Sequence, residues 1–306
     1  MVEPFAERLC GIIPPVTTPL TEEGAFDRDS AVTLYRRMLD AGVHGLFLFG
    51  SSGEGPLLSE TDRRAVLETA VETVGSKIPL LAGVLAAGTA QVIAQAKTAR
   101  EFGVDALVVC PPFYFASEQE ELLEHYRAVR HEVDLPIVAY DIPQTAKTKI
   151  ATKTMLSLAQ EGTVVGVKDS SGDLTSFRRL LSERPPQFKL LTGSDLLVDT
   201  VLLMGADGSV PGLANVAPEP FVQLYNHWQA GEFAQVAAIQ DRLVRLFDLF
   251  IAPDGSIRSG YALSMMKAAQ KLRGMIQSDR LQQPFSQVTP AQVERAGEIL
   301  TAVDLL

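Results

Sequence analysis

Histidine, cysteine and tryptophan are scarce in this chain: four, two and one among 306 residues. The two cysteines, Cys10 and Cys110, each adjoin an apolar run, so they are expected to serve as small buried hydrophobes in a reduced, cytoplasmic protein. His44, His125, His131 and His227 show no ligand spacing with them, so no metal site is expected. No apolar stretch approaches the roughly 20 residues that span a bilayer. The opening MVEPFAERLCG carries acids and no apolar core, which argues against a secretory leader. A basic block is missing too. Lys+Arg 27 against Asp+Glu 37 leaves a net charge of -10, which argues against nucleic acid as a partner. An anionic substrate would then be met by main-chain N–H groups, helix N-termini or a few placed cations.

What is present is a recurring unit. The chain is 46% hydrophobic and 21% charged, the balance of a globular protein with a sizeable core. Short apolar runs recur at GIIPPV (11–16), GLFLF (45–49), IPLLAGV (78–84), DALVVC (105–110), LPIVAY (135–140), TVVGVK (163–168), FKLLTG (188–193) and DGSVPG (207–212). Segments of helical period separate them. In TAQVIAQAKTAREFG (89–103), Val92, Ile93, Ala96 and Ala99 share one face and Gly103 stops the helix. Ser59 or Thr61 is placed to cap the segment before it. Continuous apolar strands joined by long crossovers imply a parallel sheet buried on both faces. About eight such units predict a (β/α)8 TIM barrel. The alternative is a doubly wound sheet, but no GxGxxG follows the first strand. From about Pro218 helices follow one another without strands. The expected organisation is a barrel core over 1–220, with the last barrel helix and a C-terminal helical extension over 221–306, as one structural unit.

The stretch TVVGVKDSSGD (163–173) ends an apolar strand on a lysine. Lys168 would lie at the C-terminal rim of the sixth strand, where barrel enzymes carry their chemistry. Burial disfavours an ammonium, and the neutral amine attacks a ketone or aldehyde to form a Schiff base. The ordinary alternative is a solvated lysine paired with Asp169 or Asp173. LPIVAYDIP places Tyr140 at the neighbouring strand end, where a phenol can relay protons. GLFLFGSSGEG puts Ser51 and Ser52 among glycines that allow close approach of the main chain, which suits a carboxylate. No Lys-[Ser/Thr] pair follows, so this is not a P-loop.

Taken in order, GSSGEG, PPFYF, YDIP and GVKDSSGD resemble the dihydrodipicolinate synthase/N-acetylneuraminate lyase family, together with PPVTTPL (14–20) and GADGSVPGLANV (205–216). The resemblance runs over essentially the whole chain. It implies that Lys168 forms an imine with pyruvate without any cofactor, that Tyr140 relays protons, and that Ser51 and Ser52 help hold the carboxylate and complete the relay, Ser51 as a catalytic residue. Ser51 stands where the family usually has threonine. Tyr114, in PPFYF, matches a tyrosine that reaches into a neighbouring subunit's site, and the resemblance implies a homotetramer. Gly193 and Val210 match positions lining the pyruvate end of the pocket.

The second substrate is read from departures. The synthase branch has an arginine five residues after the strand-five tyrosine, which takes the carboxylate of aspartate semialdehyde. Here that position is Thr145. In the neuraminate branch an Asp-Glu pair meets sugar hydroxyls, and here Asp195 is followed by Leu196. Ser170 and Asp195 still offer a hydroxyl and a carboxylate to a polyol. The expected reaction is reversible cleavage of a 2-keto-3-deoxy sugar acid to pyruvate and an aldehyde. The alternatives are condensation of pyruvate with aspartate semialdehyde, or a related dehydratase. Lys147 and Lys149 are candidates for a distal carboxylate or phosphate. A metal-dependent aldolase would need ligands this sequence does not supply, and a non-catalytic sugar-acid sensor would not need the lysine, tyrosine and serine set.

Overall fold

The computed structural model describes residues 5–306; the first four, part of the opening stretch read for a leader, lie outside the described residues. Eight strands form one sheet: β1 (Gly11–Ile12), β2 (Leu46–Leu48), β3 (Leu80–Gly83), β4 (Ala106–Val109), β5 (Ile137–Asp141), β6 (Gly166–Asp169), β7 (Lys189–Thr192) and β8 (Gly208–Ser209). Each lies within one of the eight apolar runs, β5 and β6 running one residue further. All pairings are parallel, in the order β1-β8-β7-β6-β5-β4-β3-β2. The two ends of that order are joined by main-chain bonds from His44 to Ile12 (2.8 Å), Phe47 to Pro14 (3.0 Å) and Val16 to Phe47 (3.0 Å). The sheet closes on itself as the expected barrel, and a doubly wound sheet is ruled out.

Helices fall between the strands where the sequence signals them. Ser59 caps Glu60–Val74 by accepting from the N–H of Asp62 at 3.1 Å. The helix Thr89–Glu101 buries Val92, Ala96 and Ala99 and is followed by Gly103 at φ +79°, a conformation glycine adopts without strain.

Along each strand, alternate residues enter two different cores. Leu46, Leu48, Leu107, Val109, Ile137, Ala139 and Val167 face the helices. Phe47, Leu81, Ala106, Val108, Val138, Tyr140 and Leu191 fill the barrel interior. Because Val167 faces outward, Lys168 must face inward. The same period turns Tyr140 into the barrel beside it.

After β8 the chain is helical: Pro218–Gln229, Phe233–Leu246, Ser259–Leu272 and Pro290–Ala302. The boundary expected at 220/221 falls inside the first of these. Leu243, Met265, Met266 and Leu300 belong to the same core cluster as Leu34 and Met38 of the helix Arg28–Asp40. Among the described residues no helix is long and apolar enough to cross a membrane.

Candidate active site

Lys168 and Tyr140 are directly opposed in the β5–β6 register. The Lys168 Nζ lies 4.2 Å from the centroid of the Tyr140 ring and 5.0 Å from that of Phe47. Lys168 is 5% exposed and Tyr140 3%. Neither Asp169 nor Asp173 pairs with the amine. Asp169 accepts from the N–H of Ser171 (2.7 Å), and Asp173 caps the helix Leu174–Glu183 through Thr175 and Ser176. The solvated, ion-paired alternative is therefore not what forms. Lys168 borders a cavity of about 10 Å³ whose other walls are apolar, including Leu9, Ile13, Phe47, Leu81 and Val210. The amine thus borders an apolar cavity of the barrel interior, against two aromatic rings.

Gly193, after β7, completes the wall. A Cβ there would stand 1.9 Å from Ser170 Oγ and 3.0 Å from Lys168 Cε, so this position admits no side chain without moving the lysine. The structure thus brings together Lys168, Tyr140, Ser170, Gly193 and Val210. Asp195 is close enough to Lys168 to feel its charge, but its carboxylate is committed: Oδ1 accepts from the N–H of Leu213 at 2.8 Å. Burial pushes its carboxyl up to about 6, against the pull of those main-chain donors and of Lys168.

The serine turn sits at the same rim, after β2. Ser51 is exposed and Ser52 half-buried. A Cβ on Gly53 would meet Val16 O at 2.9 Å, and one on Gly55 would meet Phe49 O at 2.0 Å, so the turn lies flush against the main chain beneath it. Three buried polar groups hold it. Thr18 Oγ1 donates to Gly53 O at 2.7 Å. Arg63 donates to Gly55 O (3.3 Å) and Gly83 O (2.8 Å), its guanidinium 4.1 Å above the Phe49 ring. Glu54 forms an ion pair with Lys267 at 2.6 Å, both side chains fully buried. Burial pulls the Lys267 ammonium below its ordinary value, and Glu54 opposes that pull. Phe47, Arg63, Glu54 and Lys267 were not among the residues expected from sequence. A lone acid inside a glycine turn and a lone cation in the apolar stretch LSMMKAAQ were the available signals.

On the outer side of the same two strands, Asp141 and Asp169 face each other in register. Lys149 bridges them, bonding Asp141 Oδ2 and lying 3.7 Å from Asp169 Oδ2. Burial raises the Asp141 carboxyl above its ordinary value, against the pull of Lys149. Lys147 donates to Tyr114 O at 3.2 Å and lies 5.7 Å from its ring centroid. Both lysines considered for a distal anion are thus engaged with the protein, Lys149 by a pair of buried carboxylates. Thr145 is exposed on the short helix Pro143–Ala146. Tyr114 is 66% exposed and stacked edge-on against Phe115, which is 75% exposed. Among the described residues no three His, Cys, Asp or Glu side chains cluster as metal ligands.

The chain matches known proteins over nearly its whole length. The model of the dihydrodipicolinate synthetase family matches residues 8–303. An uncharacterized DapA-like lyase from Halobacterium salinarum is 36% identical over 87% of this chain and 85% of its own length. A 4-hydroxy-tetrahydrodipicolinate synthase from Phenylobacterium zucineum is 32% identical over 99% of this chain and 98% of its own. Among solved structures, a prophage protein of the dihydrodipicolinic acid synthase family from E. coli K12, in complex with pyruvate, superposes with a TM-score of 0.91 at 26% identity. That match covers 97% of this chain and 99% of the other.

Proposed function

Because the chain belongs to the dihydrodipicolinate synthetase family, we propose that it is a lyase that binds pyruvate as a Schiff base on Lys168 and cleaves a 2-keto-3-deoxy sugar acid to pyruvate and an aldehyde. The observation that carries this reading is the position of Lys168 Nζ: inward, 5% exposed, without an ion-pair partner among the described residues, and 4.2 Å from the Tyr140 ring centroid.

The steps follow from those groups. The uncharged amine attacks C2 of the 2-oxo acid, and the carbinolamine loses its oxygen as water to leave a protonated imine. That cation accepts the electron pair of the C3–C4 bond when the bond breaks, while the C4 hydroxyl gives its proton to a base and departs as the aldehyde. Tyr140, whose ring lies beside the amine, carries that proton and the one lost with water in this reading. The enamine then takes a proton at C3, and hydrolysis returns pyruvate and the free amine. Ser51 and Ser52 offer hydroxyl and N–H donors for the carboxylate, and no cofactor enters any step.

The preference for a hydroxylated aldehyde rests on Thr145. An arginine fork there would give a carboxylate charge-assisted contacts worth about 1.5–3 kcal/mol. Lys149 does not replace it, since the buried carboxylates of Asp141 and Asp169 hold it. Ser170 Oγ, beside Lys168, remains as a polar group for a polyol. Subunit pairing that brings Tyr114 to a neighbouring site is supported by the two adjacent exposed aromatics, Tyr114 and Phe115, and a homotetramer accommodates it. Synthase activity is the second reading, favoured by the Phenylobacterium relative, which aligns over nearly its whole length.

Pyruvate release from a panel of 2-keto-3-deoxy sugar acids, set beside condensation of pyruvate with aspartate semialdehyde, decides between the two. At least one sugar acid is expected to be cleaved with the higher kcat/KM. Condensation alone would overturn the proposal.

A further inference from the structure

We propose that Glu54 and Lys267 are positioning residues: their buried ion pair fixes the Ser51–Ser52 turn, so that the C-terminal helical extension sets how tightly a 2-oxo acid carboxylate is held. The inference rests on the reading of that turn as the carboxylate site of a Schiff-base lyase.

The turn has few ways to be held. Its glycines carry no side chains, Ser51 is exposed and Ser52 only half-buried. Glu54 sends its side chain from the turn into the C-terminal region. There it meets two separate segments: Oε1 pairs with Lys267 at 2.6 Å, and Oε2 accepts from the N–H of Gln282 at 2.7 Å. Lys267 donates in turn to Arg280 O at 2.7 Å, which ties helix Ser259–Leu272 to the following loop. At its other end Glu54 is bonded directly into the serine turn. Its N–H donates to Ser51 O at 3.1 Å, and its carbonyl accepts from Leu57 at 2.8 Å. Its φ of +54° lies in the left-handed region, which a residue with a side chain keeps only when its surroundings hold it there.

The choice of charges is informative. An apolar pair of similar volume would stabilise the fold as well as a buried ion pair does, so stability alone does not call for one. What the pair adds is direction: the carboxylate must meet the Lys267 ammonium and the Gln282 N–H at once, which fixes the peptide that bonds to Ser51. Thr18 and Arg63 clamp Gly53 and Gly55 from the barrel side, whereas Glu54 is the clamp that reaches the extension.

The test uses the full chain and pyruvate as probe, with borohydride capture on Lys168 read against pyruvate concentration. The wild-type protein must form the adduct first; a failure there removes the functional reading itself, and is distinguishable from a failure of the ion pair's role. The double variant Glu54→Gln/Lys267→Met replaces the charges with a neutral pair of similar volume. We expect it to fold, to reach a similar capture rate at saturation, and to need about tenfold or more pyruvate for half-saturation, because only the carboxylate contact is loosened. If the double variant folds and half-saturates at the wild-type concentration, the pair is structural only and the inference fails. If it does not fold, Glu54→Asp decides. It keeps the charge but shortens the arm by one methylene, so a raised half-saturation supports positioning and an unchanged one overturns it.

Discussion

Replacing Gly193 with alanine probes the amine's surroundings without touching the amine. The new methyl would lie 1.9 Å from Ser170 Oγ, 3.1 Å from Ser170 Cβ and 3.0 Å from Lys168 Cε. Ordinary contact begins near about 3.5 Å between carbons, so all three neighbours must yield. Ser170 can rotate its hydroxyl away. Lys168 is wedged between the Phe47 and Tyr140 rings, and can yield only by carrying Nζ off its present line. Overpacking of this kind costs about 1–3 kcal/mol of stability, which a barrel of this size tolerates. Displacement of a reacting atom by a fraction of an ångström to about 1 Å costs up to roughly a hundredfold in rate. The expected result is a folded protein whose rate of pyruvate capture on Lys168 falls about tenfold or more, measured by borohydride trapping beside urea denaturation. Adding Ser170→Gly removes two of the three contacts and leaves the one to Lys168. That double variant is expected to recover most of the stability and little of the rate. If Gly193→Ala traps pyruvate at the wild-type rate, the amine is not held where this reasoning places it.

Two further perturbations address the supports of the site. Arg63→Met keeps the stem but removes the guanidinium bond to Gly83 O and one of the two donors to Gly55 O, which keeps the N–H of Leu58 at 3.4 Å. A carbonyl left without its donor costs about 1–3 kcal/mol, partly offset because a buried cation is removed, so a net loss of roughly 1–2 kcal/mol is expected in urea melts. Stability equal to wild type would contradict the clamp. Asp195 is held at about 6 against an ordinary 3.8, so the folded chain keeps a proton that the unfolded chain releases between about pH 4 and 6. Its contribution is therefore full below pH 4 and is lost as pH rises through 6, amounting to about 3 kcal/mol. Asp195→Asn keeps an acceptor for Leu213 and is expected to flatten that stretch of the stability–pH curve. An unchanged slope between pH 4 and 6 would show that Asp195 is not the group responsible.

The strands could be read from sequence because burial on both faces writes them as apolar runs. Lys168 stood out because it ends one of those runs. Period alone then aims it inward, since Val167 must face the helices. Tyr140 follows by register with its neighbour. What period cannot supply is a pairing between distant polar residues. Glu54 and Gln282 are 228 positions apart, and Lys267 sits on a helix that reads as a packing stripe. The same limit applies to Lys149, which looks like a loop cation in TAKTK until β5 and β6 bring Asp141 and Asp169 side by side. Tyr114 shows a third kind of limit. Its exposure is a fact of this chain, and the partner proposed for it lies on another copy, which no pattern within one chain can place.

Every step of the proposed chemistry depends on a covalent bond between Lys168 Nζ and C2 of a 2-oxo acid. Borohydride reduction in the presence of pyruvate, followed by peptide mass analysis, tests it most directly. The expected result is a mass gain of pyruvate less water plus two hydrogens on the peptide containing Lys168, absent from Lys168→Arg protein. An unmodified peptide at saturating pyruvate, or an equal gain in the arginine variant, would contradict it.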